Sequence, residues 1–100
     1  MARTLTVSRV TVRAGREDEY LATVRQLAAL HEASGRHLWV FRRAGDPAAF
    51  LECSESRSAD EHRAVAMPSE DERRLEARLR VVADYDPGAW DLWDEVRSNS

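Results

Sequence analysis

Residues 4 to 15, TLTVSRVTVRAG, alternate Leu5, Val7 and Arg9 against Ser8, Val10 and Val12. A period of two predicts a strand, and Gly15 stops it. The period then changes. From Arg16 to Ala33, Tyr20, Val24, Leu27 and His31 recur at spacings of three and four, and Leu21, Ala28 and Leu30 widen the stripe. That is the face of an amphipathic helix. Glu17, Asp18 and Glu19 fall in its first turn, where acids complement the helix dipole. Gly35 suits the position just past its end.

His37 to Arg43 predicts a second strand and Ala49 to Glu55 a third, joined by the turn residues Ala44-Gly45-Asp46-Pro47. The pair reads as a hairpin. Ser58-Ala59-Asp60-Glu61 is a capping box that opens a helix through Ala66, and Pro68 interrupts it. Ser69-Glu70-Asp71-Glu72 is a second capping box, followed by Leu75, Leu79 and Val82 on one face. Asp86-Pro87-Gly88 is a turn. Ala89 to Val96 reads as a last strand, with Trp90, Leu92 and Val96 on one side and Trp93 on the other; a short helix is the alternative there.

The order β-α-β-β-α-β folds, with right-handed crossovers, into an α+β ferredoxin-like split βαβ domain. Its sheet has four antiparallel strands, with the helices on one face. Val7, Leu38, Val40 and Leu51 are expected on the other face, too apolar to meet water. A second copy of the chain is the simplest cover, giving a homodimer through the open sheet face. Residues 1–97 form one domain, and 98–100 a polar tail.

Composition narrows the chemistry. At 100 residues the core is thin, and pairing would help it. The net charge of −3 gives no reason to expect nucleic acid or a bilayer as partner. All 15 basic residues are Arg. Without Lys there is no Schiff-base chemistry on a lysine and no Walker A loop. The single cysteine, Cys53, fits a reducing cytosol. MARTLTVSRV has no long apolar stretch, so no signal peptide is expected; no apolar run of the sequence approaches the roughly 20 residues of a membrane span, and the location expected is cytoplasmic.

Three stretches together resemble the dimeric α+β barrel superfamily, and within it the antibiotic biosynthesis monooxygenase domain. They are VSRVTVRAGREDEYL (7 to 21), FLECSESRSADEH (50 to 62) and GAWDLWDEV (88 to 96). The resemblance spans nearly the whole chain. It implies a pocket between sheet and helices that takes a small apolar or aromatic ligand. It also implies, for the enzymes of the family, cofactor-free oxygenation of phenolic compounds. Haem-degrading members place Asn where Ser8 stands, Trp near Cys53 or Ser54, and a ligating His further along the second helix, where residues 63 to 80 have none. Haem degradation is therefore not implied, and no cofactor is expected. A non-catalytic small-molecule-binding or structural dimer module is the alternative.

Within that frame four residues become candidates. His62, near the expected pocket mouth, could exchange a proton with a phenol or enol near neutral pH, its ordinary pKa being about 6.5. An exposed helix histidine is the plainer reading. Ser8 faces the helices, either as a pocket hydrogen bond or as a hydroxyl satisfied by a neighbouring backbone group. Trp39 is pocket wall if its face meets the helices and interface if it meets the partner. Glu52, an acid in mid-strand, needs a partner, and Arg9 or Arg42 could supply one. His31 reads as a core-edge residue and Cys53 as a structural thiol. The three histidines lack metal spacing, so no metal is expected.

Overall fold

A computed structural model describes residues 3–56, 69–89 and 91–96. The elements run β1 (Thr4–Val12), α1 (Glu17–Ala33), β2 (His37–Arg42), β3 (Ala49–Ser56), α2 (Glu70–Val82), β4 (Ala83–Tyr85) and β5 (Leu92–Asp94). The capping box at 58–61, the helix expected through Ala66, His62 and Trp90 lie outside the described residues.

The sheet is antiparallel, in the order β2-β3-β1-β4, with β5 also on β1. This is the ferredoxin-like β-α-β-β-α-β arrangement. The last strand differs from the expected continuous run over 89–96. It is split in two along one edge: β4 pairs with Val10–Val12 and β5 with Thr4–Thr6. The cause is local. α2 passes straight into β4, and the Ala83 N–H still bonds to the Leu79 carbonyl while Ala83 is already extended. Pairing thus begins early, and the Asp86-Pro87-Gly88 turn then interrupts it. The loop is closed by Asp86 N–H to Arg9 O at 3.0 Å and by Ser8 Oγ donating to Ala89 O at 2.9 Å.

α1 forms where the stripe predicts, burying Tyr20, Thr23, Val24, Leu27 and His31. Its end is a Schellman motif: Arg36 N–H reaches His31 O, and Gly35 N–H reaches Glu32 O. That geometry needs the left-handed backbone of Gly35, at φ 78°. α2 starts on Ser69, whose side chain accepts from the Glu72 N–H at 3.2 Å, as the second capping box requires.

The strand register settles the faces. Val10, Val12 and Phe50 turn toward the helices and form the core with Tyr20, Val24, Leu27, Leu75, Leu79, Val82 and Ala83. The Tyr20 and Phe50 rings lie 4.7 Å apart. Leu38 pairs with Ser54 and Val40 with Glu52, and both pack against this core. The expectation that Leu38 and Val40 share the open face with Val7 and Leu51 is therefore corrected. Their places there are taken by Trp39 and Phe41, in register with Cys53 and Leu51. Leu5 and Trp93, opposite one another, extend the same face.

Candidate functional site

Glu52 is the unusual residue of the sheet. It lies mid-strand on β3, on the helix-facing side opposite Ser8, and is only 8% exposed. A carboxylate there must find donors. It finds two, from two different elements. Tyr20, on the buried stripe of α1, donates its hydroxyl to Glu52 Oε2 at 2.6 Å. Tyr85, at the end of β4, donates to the same oxygen at 2.7 Å. Among the described residues, no hydrogen bond reaches Oε1 and no arginine forms an ion pair with Glu52.

The neither-arginine outcome has a geometric cause. Arg9 points to the opposite face, since Arg9 pairs with Leu51 and Ser8 with Glu52. Arg42 shares the helix-facing side but lies over the Phe50 ring, 5.3 Å from its centroid. The donors are instead two tyrosines that the sequence alone did not single out. Tyr20 reads as one more apolar stripe position, and Tyr85 as the residue before a turn. The available signal was the mid-strand acid itself, which requires polar partners from the covering helix or the neighbouring strand.

Burial raises the Glu52 carboxyl above its ordinary range; the two phenol donors oppose this, and the nearby Glu76 carboxylate adds to it. Both phenols are held protonated well past their ordinary range, first by burial and then by the charge of Glu52. Glu76 is itself raised, by burial first, with Arg80 opposing, Glu72 adding and Arg36 opposing. Beside it, Arg36 and Glu72 form a buried ion pair at 2.8 Å. The helix-facing interior thus holds a polar network around one carboxylate that, among the described residues, no guanidinium pairs with directly.

The expected site residues separate. Ser8 and Glu52 stand in register on the helix-facing side. Ser8 spends its proton on the Ala89 carbonyl, which is the backbone-satisfied reading. Trp39 is on the other face, stacked with His37 at a ring separation of 5.5 Å, and cannot share a pocket wall with Glu52. Cys53 is half-buried on that same outer face, its thiol raised by burial and then by Glu52. His31 is buried in the core edge, as its place on the stripe predicts. Among the described residues no group of three His, Cys, Asp or Glu is placed to hold a metal ion. Nor is any described helix long and apolar enough to cross a membrane. A groove of about 650 Å³ opens at the hairpin end of the sheet, lined by Arg9, Thr11, Phe41, Arg43, Leu51 and Asp86 among others. Glu52 is not part of its lining.

No protein-family model and no curated protein matches this chain. Solved structures do. The cofactor-independent oxygenase SnoaB of Streptomyces nogalater is 12% identical, with a TM-score of 0.75 over 100% of this chain and 97% of that one. A protein of Nitrosomonas europaea solved as a candidate antibiotic biosynthesis monooxygenase is 9% identical, with a TM-score of 0.77 over 98% and 94%. A Bacteroides thetaiotaomicron protein of unknown function, described as a possible oxidoreductase, is 14% identical, with a TM-score of 0.74 over 94% and 95%. At these identities the likeness is one of fold.

Proposed function

We propose that this chain, whose fold is that of the antibiotic biosynthesis monooxygenase-like proteins of the dimeric α+β barrel superfamily, is a cytoplasmic, homodimeric, cofactor-independent oxygenase of a small aromatic or phenolic compound. The observation that carries this reading is Glu52. A polar, tyrosine-held carboxylate sits on the helix-facing side of the sheet, on a fold shared with a cofactor-independent oxygenase. The compound binds between sheet and helices. Loss of its hydroxyl proton leaves an electron-rich anion, which gives an electron to dioxygen; the two radicals then combine into a C–O–O peroxide, which takes up a proton and breaks its O–O bond, losing water and leaving a carbonyl on the ring. Glu52 orients the substrate with Ser8, whose oxygen can still accept a hydrogen bond while its proton is held by the Ala89 carbonyl, and His62 exchanges the proton. Trp39 serves the dimer surface instead of the pocket, since it lies on the outer face with Phe41 and Leu51.

Native mass spectrometry of protein purified from its own host tests the reading. It weighs the assembly and any retained compound together. A dimer carrying a small organic mass, which then consumes oxygen when added in excess, supports the enzyme. Retention without oxygen uptake points to a binding module. Undiminished turnover in His62→Ala removes that residue as the proton carrier.

A further inference from the structure

The tyrosine clamp on Glu52 is one-sided. Both phenols bond to Oε2, and a carboxylate has lone pairs on each oxygen. Oε1 is left, among the described residues, without a donor. Glu52 is only 8% exposed as a residue, and a carboxylate oxygen there is stabilised by any hydroxyl that reaches it. The clamp is also rigid, because its three members come from α1, β3 and β4, and the Tyr20 ring is fixed against Phe50.

Resting on the oxygenase reading above, but placing its proton step on a different residue, we infer that Glu52 Oε1, in place of His62, is the atom that receives the hydroxyl proton of a neutral phenolic or enolic substrate, with Tyr20 and Tyr85 as its positioning residues. The substrate O–H bond breaks and an H–Oε1 bond forms. The electron pair stays on the substrate oxygen, so the negative charge passes from Glu52 to the substrate. Oε2 then becomes the carbonyl oxygen of a carboxylic acid and still accepts from both phenols. The clamp therefore holds in both protonation states. Burial supports the role, since it makes the Glu52 carboxylate a stronger base than an exposed one. The same environment sets the substrate class. Glu52 and the neighbouring Glu76 disfavour carboxylates and other anions, and favour neutral molecules that donate a hydrogen bond.

The test uses flat phenols paired with their methyl ethers, umbelliferone with herniarin first, titrated calorimetrically into the dimer. Only the phenol has a proton to give. The wild-type protein is expected to bind umbelliferone roughly tenfold to a hundredfold more tightly than herniarin, the worth of a hydrogen bond to a charged acceptor. The absorption of bound umbelliferone should move toward the phenolate band. In Glu52→Gln both the preference and the band shift should vanish. Equal binding of both compounds by the wild type overturns the role of Glu52 without any variant, so the test survives a variant that folds poorly. A Glu52→Gln protein that keeps the preference overturns it too. Failure of every pair to bind overturns the small-molecule reading itself, and this role with it.

Discussion

Trp39 stands opposite Cys53 across the β2–β3 ladder, on the face of the sheet turned away from the helices. Trp39 is 40% exposed, and the same face carries Phe41 at 56% on the same strand and Trp93 at 58% on the far strand β5. Large aromatic rings so exposed on one sheet face mark an interaction surface. Under the proposed homodimer, Trp39→Asp places a charge in that surface. Sedimentation velocity should then give a dimer for the wild type and a monomer for the variant. Cys53 supplies a second reading, since its thiol should alkylate faster in Trp39→Asp than in the covered dimer. A variant that stays dimeric at equal concentration would move the interface elsewhere.

Tyr20→Phe and Tyr85→Phe each remove one donor from the buried Glu52 while keeping the ring. Each should cost about 1–3 kcal/mol of stability, as expected when a buried acceptor loses a partner. Both bonds end on the same oxygen. The double variant should therefore depart from the sum of the two by more than about 0.5 kcal/mol. Urea denaturation of the four proteins checks this. Strict additivity would mean that the two tyrosines do not share one carboxylate in solution.

The pH dependence of stability follows from the same clamp. Glu52 and Glu76 are raised above the ordinary value of 4.5, so in the folded state they hold protons that the unfolded chain has lost. Their contribution is full below that value and is lost as pH rises through the folded pKa values. Stability should accordingly rise as pH falls from neutral toward 4.5, and Glu52→Gln should flatten part of the slope, Glu76 retaining the rest. At the alkaline end Tyr20 and Tyr85 are raised above 10.0, so the unfolded chain ionises first and stability falls as pH climbs beyond that value. Tyr20→Phe should weaken this alkaline loss. The groups facing Glu52 in this balance are Tyr20, Tyr85 and Glu76. Melting temperatures across the pH range report both arms.

The elements were legible because their signals are local. The stripe Tyr20, Val24, Leu27, His31 and the Ser69 cap each state their own conformation, and α1 and α2 follow them. The faces of β2 were not legible, because Leu38, Trp39, Val40 and Phe41 are all apolar and carry no alternation. Only pairing with β3 decides that Leu38 and Val40 turn inward and Trp39 outward. The broken edge was hidden for a similar reason. Ala83–Tyr85 is too short to announce itself as a strand, and it becomes one only by lying beside Val10–Val12. The site followed the same rule. Glu52 was visible as an acid out of place, whereas its donors are set by tertiary packing from positions remote in sequence.

Arg36 and Glu72 form a buried ion pair between the two helices. Their side chains are 9% and 10% exposed, and they join the end of α1 to the start of α2 at 2.8 Å. Removing one member of a buried pair leaves an uncompensated charge, which typically costs about 3–5 kcal/mol. Arg36→Met should therefore be strongly destabilising, and doubly so in origin, because Arg36 also lowers the neighbouring Glu76. Replacing both members, Arg36→Met with Glu72→Leu, removes the stranded charge and should recover most of the loss. Glu72 can be changed in this way without losing the helix cap, since the bond at Ser69 is made by the Glu72 backbone N–H. Chemical denaturation of the single and double variants decides the matter. If Arg36→Met alone costs less than about 1 kcal/mol, the magnitude of a surface pair, then water reaches this ion pair in solution and the junction between the two helices is held by its apolar contacts instead.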